Sequence, residues 1–382
     1  MTRDPLAHAA HPLSPDDARR LALELFIVGY EGTQLPDAYA AWLREGLGGV
    51  ILFKRNLEFD ADGSIDTAAL TAQTEAIFAA SEQCPWQPAP IFSAVDQEGG
   101  LVARLRKPFT ILPPMRALGE HGDEALIAAV GRQLGRECLA AGFNLDFTPV
   151  LDVDTNPDNP IIGNRAFSRD PARVAHLAGI LLDALQAEGV LGCGKHFPGH
   201  GDTNADSHLE LPVLNHDLPR LKAVELLPFQ RLATRLPMVM TAHVLFRALD
   251  AVWPATVSPE ILRPLLRDYC GFDGVIVSDD LEMHGIAQVL QPGEAVRRGI
   301  EAGCDNFLVC RRQDTLEAAL EGATQVLLGQ DGEAQRARAL ASVARVRRLR
   351  ARLVRPRPTA AGIAAVLNDP ATLALRAALA TL

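Results

Sequence analysis

Short apolar runs recur along the chain, separated by longer stretches in which apolar residues return every three or four positions. The runs predict strands at Leu25 to Val28, Gly49 to Phe53, Ile91 to Val95, Asn144 to Phe147, Gly192 to Lys195, Met238 to Ala242, Val275 to Ser278 and Asn306 to Val309. The amphipathic stretches predict helices over Asp66 to Ser81, Asp123 to Ala141, Pro171 to Glu188, Leu218 to Leu232, Pro259 to Arg267 and Thr315 to Leu328. Eight short strands alternating with helices read as parallel βαβ units. A closed barrel and an open doubly wound sheet both satisfy that alternation. No G-x-G-x-x-G follows an early strand, and polar clusters follow nearly every strand rather than one switch point, which favours the barrel. The expectation is an α/β fold, a single (β/α)8 TIM-type barrel domain over residues 1–382. Its core spans about 15–330, with extra C-terminal helices over about 331–382.

Composition narrows this only a little. At 48% hydrophobic over 382 residues the chain can bury a large core. A net charge of −10 argues against a general nucleic-acid or anionic-membrane binder. The six cysteines form no C-x-x-C pair, and are expected to be buried thiols rather than a disulfide or metal framework. The first residues show neither an apolar core nor a small-residue cleavage site, and no run is long enough to span a membrane. A cytoplasmic protein, monomeric or weakly oligomeric, is expected. Seven arginines between Arg345 and Arg357 read as one solvated helix face with a charged last turn, and the Ala/Leu-rich stretch from Thr359 to Leu382 as a helix docked on the barrel.

In a barrel, chemistry sits where strands end. After the third strand stands Asp96, followed by Gln97, Glu98, two glycines and Arg104. Asp96 suits the acceptance of paired sugar hydroxyls, or else only pairs with Arg104. After the fourth strand come Asp146, Asp152 and Asp154, then a Pro- and Gly-dense segment ending in Arg165. The three acids suggest a metal site, but the segment reads better as a rigid shaped loop. Arg165 offers a fork of donors to a ligand, or else forms a structural Arg–Asp pair. After the fifth strand runs Lys195-His196-Phe-Pro-Gly-His200-Gly-Asp-Thr-Asn-Ala-Asp206-Ser-His208. Lys195 and His196 can bracket one ligand. Asp206, two residues from His208, can bond one imidazole nitrogen and raise the ring's basicity, which suits a general acid/base. The spacing of the three histidines matches no zinc motif. The seventh strand runs into Asp279 and Asp280; one carboxylate aimed into the barrel mouth suits a glycosidase nucleophile, and the other a cap.

These residues resemble family 3 glycoside hydrolases of the β-N-acetylhexosaminidase type. The K-H-F-P-G-H-G-D-T-x-x-D-S-H run is the most specific match, and the flanking D-Q-E-G-G, Gly163 to Ser168 and S-D-D-L-x-M segments resemble the family's other blocks in the same order. The resemblance implies Asp279 as nucleophile, His208 as acid/base with Asp206 as its dyad partner, and Asp96, Arg104, Arg165, Lys195 and His196 as residues that hold N-acetylglucosamine. It implies a retaining double displacement without cofactor or metal, and closure of the His208 loop with Gly199 and Gly201 as hinges. An N-acetylglucosamine-containing oligosaccharide or muropeptide is the expected substrate. Glu282 departs from the family, standing where a small residue is common. Rival readings are a β-glucosidase or a phosphorylase of the same family, and a non-catalytic sugar-binding barrel.

Overall fold

The structure, a computed structural model, describes residues 4–9, 11–86, 90–204 and 210–382. Eight parallel strands close into a barrel. In chain order they are β1 (Phe26–Val28), β2 (Gly49–Ile51), β3 (Phe92–Val95), β4 (Leu145–Asp146), β5 (Leu191–Phe197), β6 (Met238–Thr241), β7 (Val275–Asp280) and β8 (Asn306–Val309). Each pairs in parallel with its neighbours in sequence, and β8 closes on β1 through Phe26 and Phe307. The strands are buried on both faces, as a barrel ringed by helices requires, so they read as continuous apolar runs rather than alternating ones.

All eight expected strands are present. The helices start where the sequence offers a cap: Asp66, Asp123 and Asp170 each accept backbone N–H groups of the first turn. Two expected helices differ, and a proline is the reason in both. The Leu218 to Leu232 stretch is broken into Leu218–Ala223 and Leu226–Leu232. Pro228 has no N–H to extend the first helix, but is tolerated in the first turn of a new one. The Pro259 to Arg267 stretch is one short turn followed by a π-helical segment, Leu262–Tyr269, because Pro264 removes a rung of the ladder. A short antiparallel hairpin, Gln97–Gly99 with Val102–Ala103, follows β3 and was not legible from the runs.

The arginine run requires a correction. Helix Glu333–Arg350 crosses the end of the barrel where the strands begin, and its arginines dock it there. Arg347 makes a fork on fully buried Glu24, at 2.8 and 2.6 Å, and also reaches Asp4. Arg345 bonds Asp305 just before β8. Arg350, 2% exposed, bonds the carbonyl of Pro90, and Arg355 spans Glu75 and Glu82. Arg348, Arg352 and Arg357 are exposed. Four of the seven arginines therefore form an interface with the barrel, and the run is not one solvated face. The segment after Thr359 forms two helices, Ala360–Leu367 and Pro370–Leu379, docked through Ile363, Leu367 and Leu375. The six cysteines are free and buried. Among the described residues no helix is long and apolar enough to cross a membrane.

Candidate active site

The ends of β3, β5 and β7 and the loop after β4 surround one pocket at the barrel mouth. Asp96, Glu98, Arg104, Arg165, Lys195, His196, His200, Asp279 and Asp280 line it, with Phe53, Phe147 and Met240 among its apolar walls. Lys195, buried at the end of β5, bonds Asp96 Oδ1 at 3.0 Å and Glu98 Oε1 at 2.6 Å. Asp96 Oδ2 faces Arg104 Nη2 at 3.3 Å. Asp96 thus pairs with Arg104 and also lines the pocket. Arg165 makes its fork not with an aspartate but with Glu98, through Nε and Nη2, each at 2.8 Å.

These groups hold one another's charge. Burial pushes the Asp96 and Glu98 carboxyls up. Lys195 and Arg104 beside Asp96, and Arg165 and Lys195 beside Glu98, outweigh it and hold both below the usual carboxylate range. Burial alone would lower Lys195, but Asp96 and Glu98 raise it, so the ammonium persists. Asp146, fully buried at the end of β4, accepts the N–H of Gln97 at 2.9 Å; burial pushes its carboxyl well up.

His196 is held from behind. Asp152 Oδ2 accepts from its ring Nδ1 side at 2.7 Å and from its backbone N–H at 3.2 Å, while Oδ1 accepts the N–H of His200 at 2.6 Å. The Lys195–His196 peptide is cis. His200 Nδ1 meets Thr203 Oγ1 at 2.8 Å. Burial and the neighbouring His196 push His200 down to about 4, against the pull of Asp152, so its ring is neutral near pH 7. The chain after His200 is stitched to the loop after β4. Asn159 donates to the His200 carbonyl, Asn156 to the Thr203 carbonyl, and Thr155 to Asp202 at 2.6 Å. The three acids after the fourth strand do not converge: Asp146 holds Gln97, Asp152 the two histidines, and Asp154 pairs with Arg116 at 2.6 Å.

β7 delivers Asp279 to the pocket wall, half-buried, its Oδ1 accepting the N–H of Asp280 at 2.8 Å. Asp280 accepts the N–H groups of Glu282 and Cys310, tying the end of β7 to the end of β8. Burial, with Glu282 and Asp279 nearby, pushes its carboxyl up to about 7. Glu282 accepts the N–H groups of Arg311 and Arg312 and so braces the loop after β8.

The structure thus brings together Asp96, Arg104, Arg165, Lys195, His196 and Asp279. Asp206 and His208 lie outside the described residues. The sequence reading missed Glu98 and Asp152. Glu98 lay in plain view beside Asp96, in the same D-Q-E-G-G block.

A glycosyl hydrolase family 3 N-terminal domain model matches residues 27–349. A β-hexosaminidase of Nitrosospira multiformis is 40% identical over 308 residues, covering 78% of this chain and 84% of that one. Among solved structures, a family 3 β-N-acetylglucosaminidase from Paenibacillus superposes with a TM-score of 0.83 at 33% identity, covering 94% of this chain and 68% of that one. NagZ from Neisseria gonorrhoeae, in complex with N-trifluoroacetyl-D-glucosamine, superposes at 0.74 with 33% identity, covering 94% and 97%.

Proposed function

The chain belongs to glycosyl hydrolase family 3, and from that premise we propose that it removes terminal β-linked N-acetylglucosamine by a retaining double displacement at Asp279. It is a β-N-acetylhexosaminidase. The observation that carries the mechanistic reading is one pocket with Asp279 on its β7 wall and the Asp96–Lys195–Glu98–Arg165 array on the others. A neutral sugar needs such a set of fixed donors and acceptors, and a retaining glycosidase needs a carboxylate beside the anomeric carbon.

Asp96, Arg104, Arg165, Lys195 and His196 hold the sugar ring. The Asp279 carboxylate attacks the anomeric carbon as the bond to the leaving oxygen breaks, and His208 gives that oxygen its proton. A glycosyl ester on Asp279 results. His208, oriented by Asp206, then takes a proton from water, the water oxygen attacks the anomeric carbon, and the Asp279 carboxylate leaves with the β configuration restored. Muropeptide fragments of peptidoglycan are the natural substrates in this reading, handled in the cytoplasm by one barrel unit that includes the helices after residue 331.

Side-by-side turnover of an aryl β-N-acetylglucosaminide and an aryl β-glucoside, with and without phosphate, tests the reading. Hydrolysis of the first alone, indifferent to phosphate, is expected. Preference for the glucoside, dependence on phosphate, or no turnover refutes it in favour of the β-glucosidase, the phosphorylase or the binding barrel.

A further inference from the structure

We propose that Glu98 is a positioning residue of this active site, one that sets the donor pattern and the net charge presented to the sugar. The inference rests on the functional reading above. Glu98 is 1% exposed and touches two of the cations assigned to the sugar, Lys195 at 2.6 Å and Arg165 twice at 2.8 Å.

A count of hydrogens shows what this does. Lys195 has three N–H groups. One goes to Asp96 and one to Glu98, which leaves one for a ligand. Arg165 spends Nε and one Nη2 hydrogen on Glu98 and one Nη1 hydrogen on the Ile161 carbonyl. One hydrogen on each Nη remains. Glu98 therefore turns two mobile cations into a fixed set of three donors. Its own placement is not adjustable. Gln97, next to it, is pinned on both sides: its N–H goes to Asp146, and its side-chain oxygen accepts from the N–H groups of Arg104 and Leu105 at 2.7 and 2.9 Å. Glu98 stands where the hairpin register shifts between Gln97 and Gly99, and its carboxylate reaches Lys195 and Arg165.

The charge matters as much as the geometry. Three cations, Arg104, Arg165 and Lys195, face the carboxylates of Asp96 and Glu98 on one side of the pocket, with Asp279 on the β7 wall. Glycoside cleavage passes through a transition state with oxocarbenium character, which is positive. Without Glu98 the array would carry one more positive charge, unscreened because the site is buried, against that developing cation.

The test compares Glu98→Gln and Glu98→Asp with the wild type on an aryl β-N-acetylglucosaminide, per folded molecule, across pH. Glu98→Gln keeps the shape and one acceptor but removes the charge. It is expected to raise KM, and the inhibition constant of free N-acetylglucosamine in parallel, by about tenfold to a hundredfold, and to lower kcat as well. Its kcat/KM should also fall at alkaline pH where the wild type holds, because Lys195 has lost an anion that kept it protonated. Glu98→Asp keeps the charge but withdraws it, so KM should rise while the pH profile stays. If Glu98→Gln fails to fold, Glu98→Asp decides: a wild-type KM there overturns the proposal. A folded Glu98→Gln protein with a lowered Tm but wild-type KM, kcat and pH profile overturns it too, and reduces Glu98 to a structural ion pair. Wild-type turnover is measured first. Its failure sinks the functional reading and this inference together, whereas turnover with unchanged variants overturns the inference alone.

Discussion

Gly201 stands where the chain leaving β5 runs against the loop after β4. A methyl group built there lies 1.9 Å from the Val153 carbonyl oxygen and 2.6 Å from its carbon. Ordinary contact requires about 3.4 Å or more, so Gly201→Ala forces one of two backbones to move by more than an ångström. Neither is free to do so. The residue before Val153 is Asp152, which holds His196 and His200, and the chain around Gly201 is stitched by Asn159, Asn156 and Thr155. Gly201 is thus a point of close approach, which conflicts with its expected role as a hinge. Overpacking of this kind costs about 1–3 kcal/mol. At about 2.1 cal/mol/K per residue over 382 residues, that lowers Tm by only about 1–4 °C. Activity should suffer more, because an error of about 1 Å in a positioned group costs on the order of 100-fold. Calorimetry beside kcat/KM on an aryl β-N-acetylglucosaminide checks both. A variant with kcat/KM within about threefold of wild type would refute the argument that this contact fixes the histidines.

Two further outcomes follow from buried charge. Asp280 titrates near 7 in the folded protein and near 4 when unfolded, so the folded state binds the extra proton between those values. Its contribution to stability is intact below about pH 4 and is lost as pH rises towards 7; Asp280→Asn should therefore gain on the wild type in Tm between pH 5 and pH 8, and a difference flat across that range would contradict the burial argument. Arg347→Ala leaves fully buried Glu24, among the described residues, with Arg350 at 3.6 Å as its remaining cation, which should cost about 3–5 kcal/mol and about 4–6 °C in Tm. Arg352→Ala, on an exposed side chain, should change stability by no more than about 0.5 kcal/mol, and equal losses from the two would restore the solvated-face reading.

The fold was legible because a parallel barrel buries both faces of every strand, so each of the eight strands announces itself as an apolar run. Six of the candidates line one pocket for a related reason: Asp96, Lys195, His196 and Asp279 stand at strand ends, Arg104 follows the hairpin after β3, and Arg165 closes a rigid loop. Glu98 escaped because only the closed barrel brings Arg165, 67 positions away, onto it. Asp152 escaped because three acids in one stretch look like a cluster until the backbone sends each to a different partner. The arginine run misled for the same reason on a larger scale. Locally it has the look of a solvated helix, while its partner Glu24 lies 323 positions away.

Mass spectrometry of His208→Ala after brief exposure to an aryl β-N-acetylglucosaminide tests directly whether Asp279 is the nucleophile. An activated leaving group needs little protonation, so Asp279 should still be glycosylated, while the missing base slows the water step. With Asp279 as nucleophile, an adduct of one N-acetylglucosaminyl unit accumulates and maps to Asp279. A variant that turns over freely without an adduct, or an adduct on another residue, would contradict it.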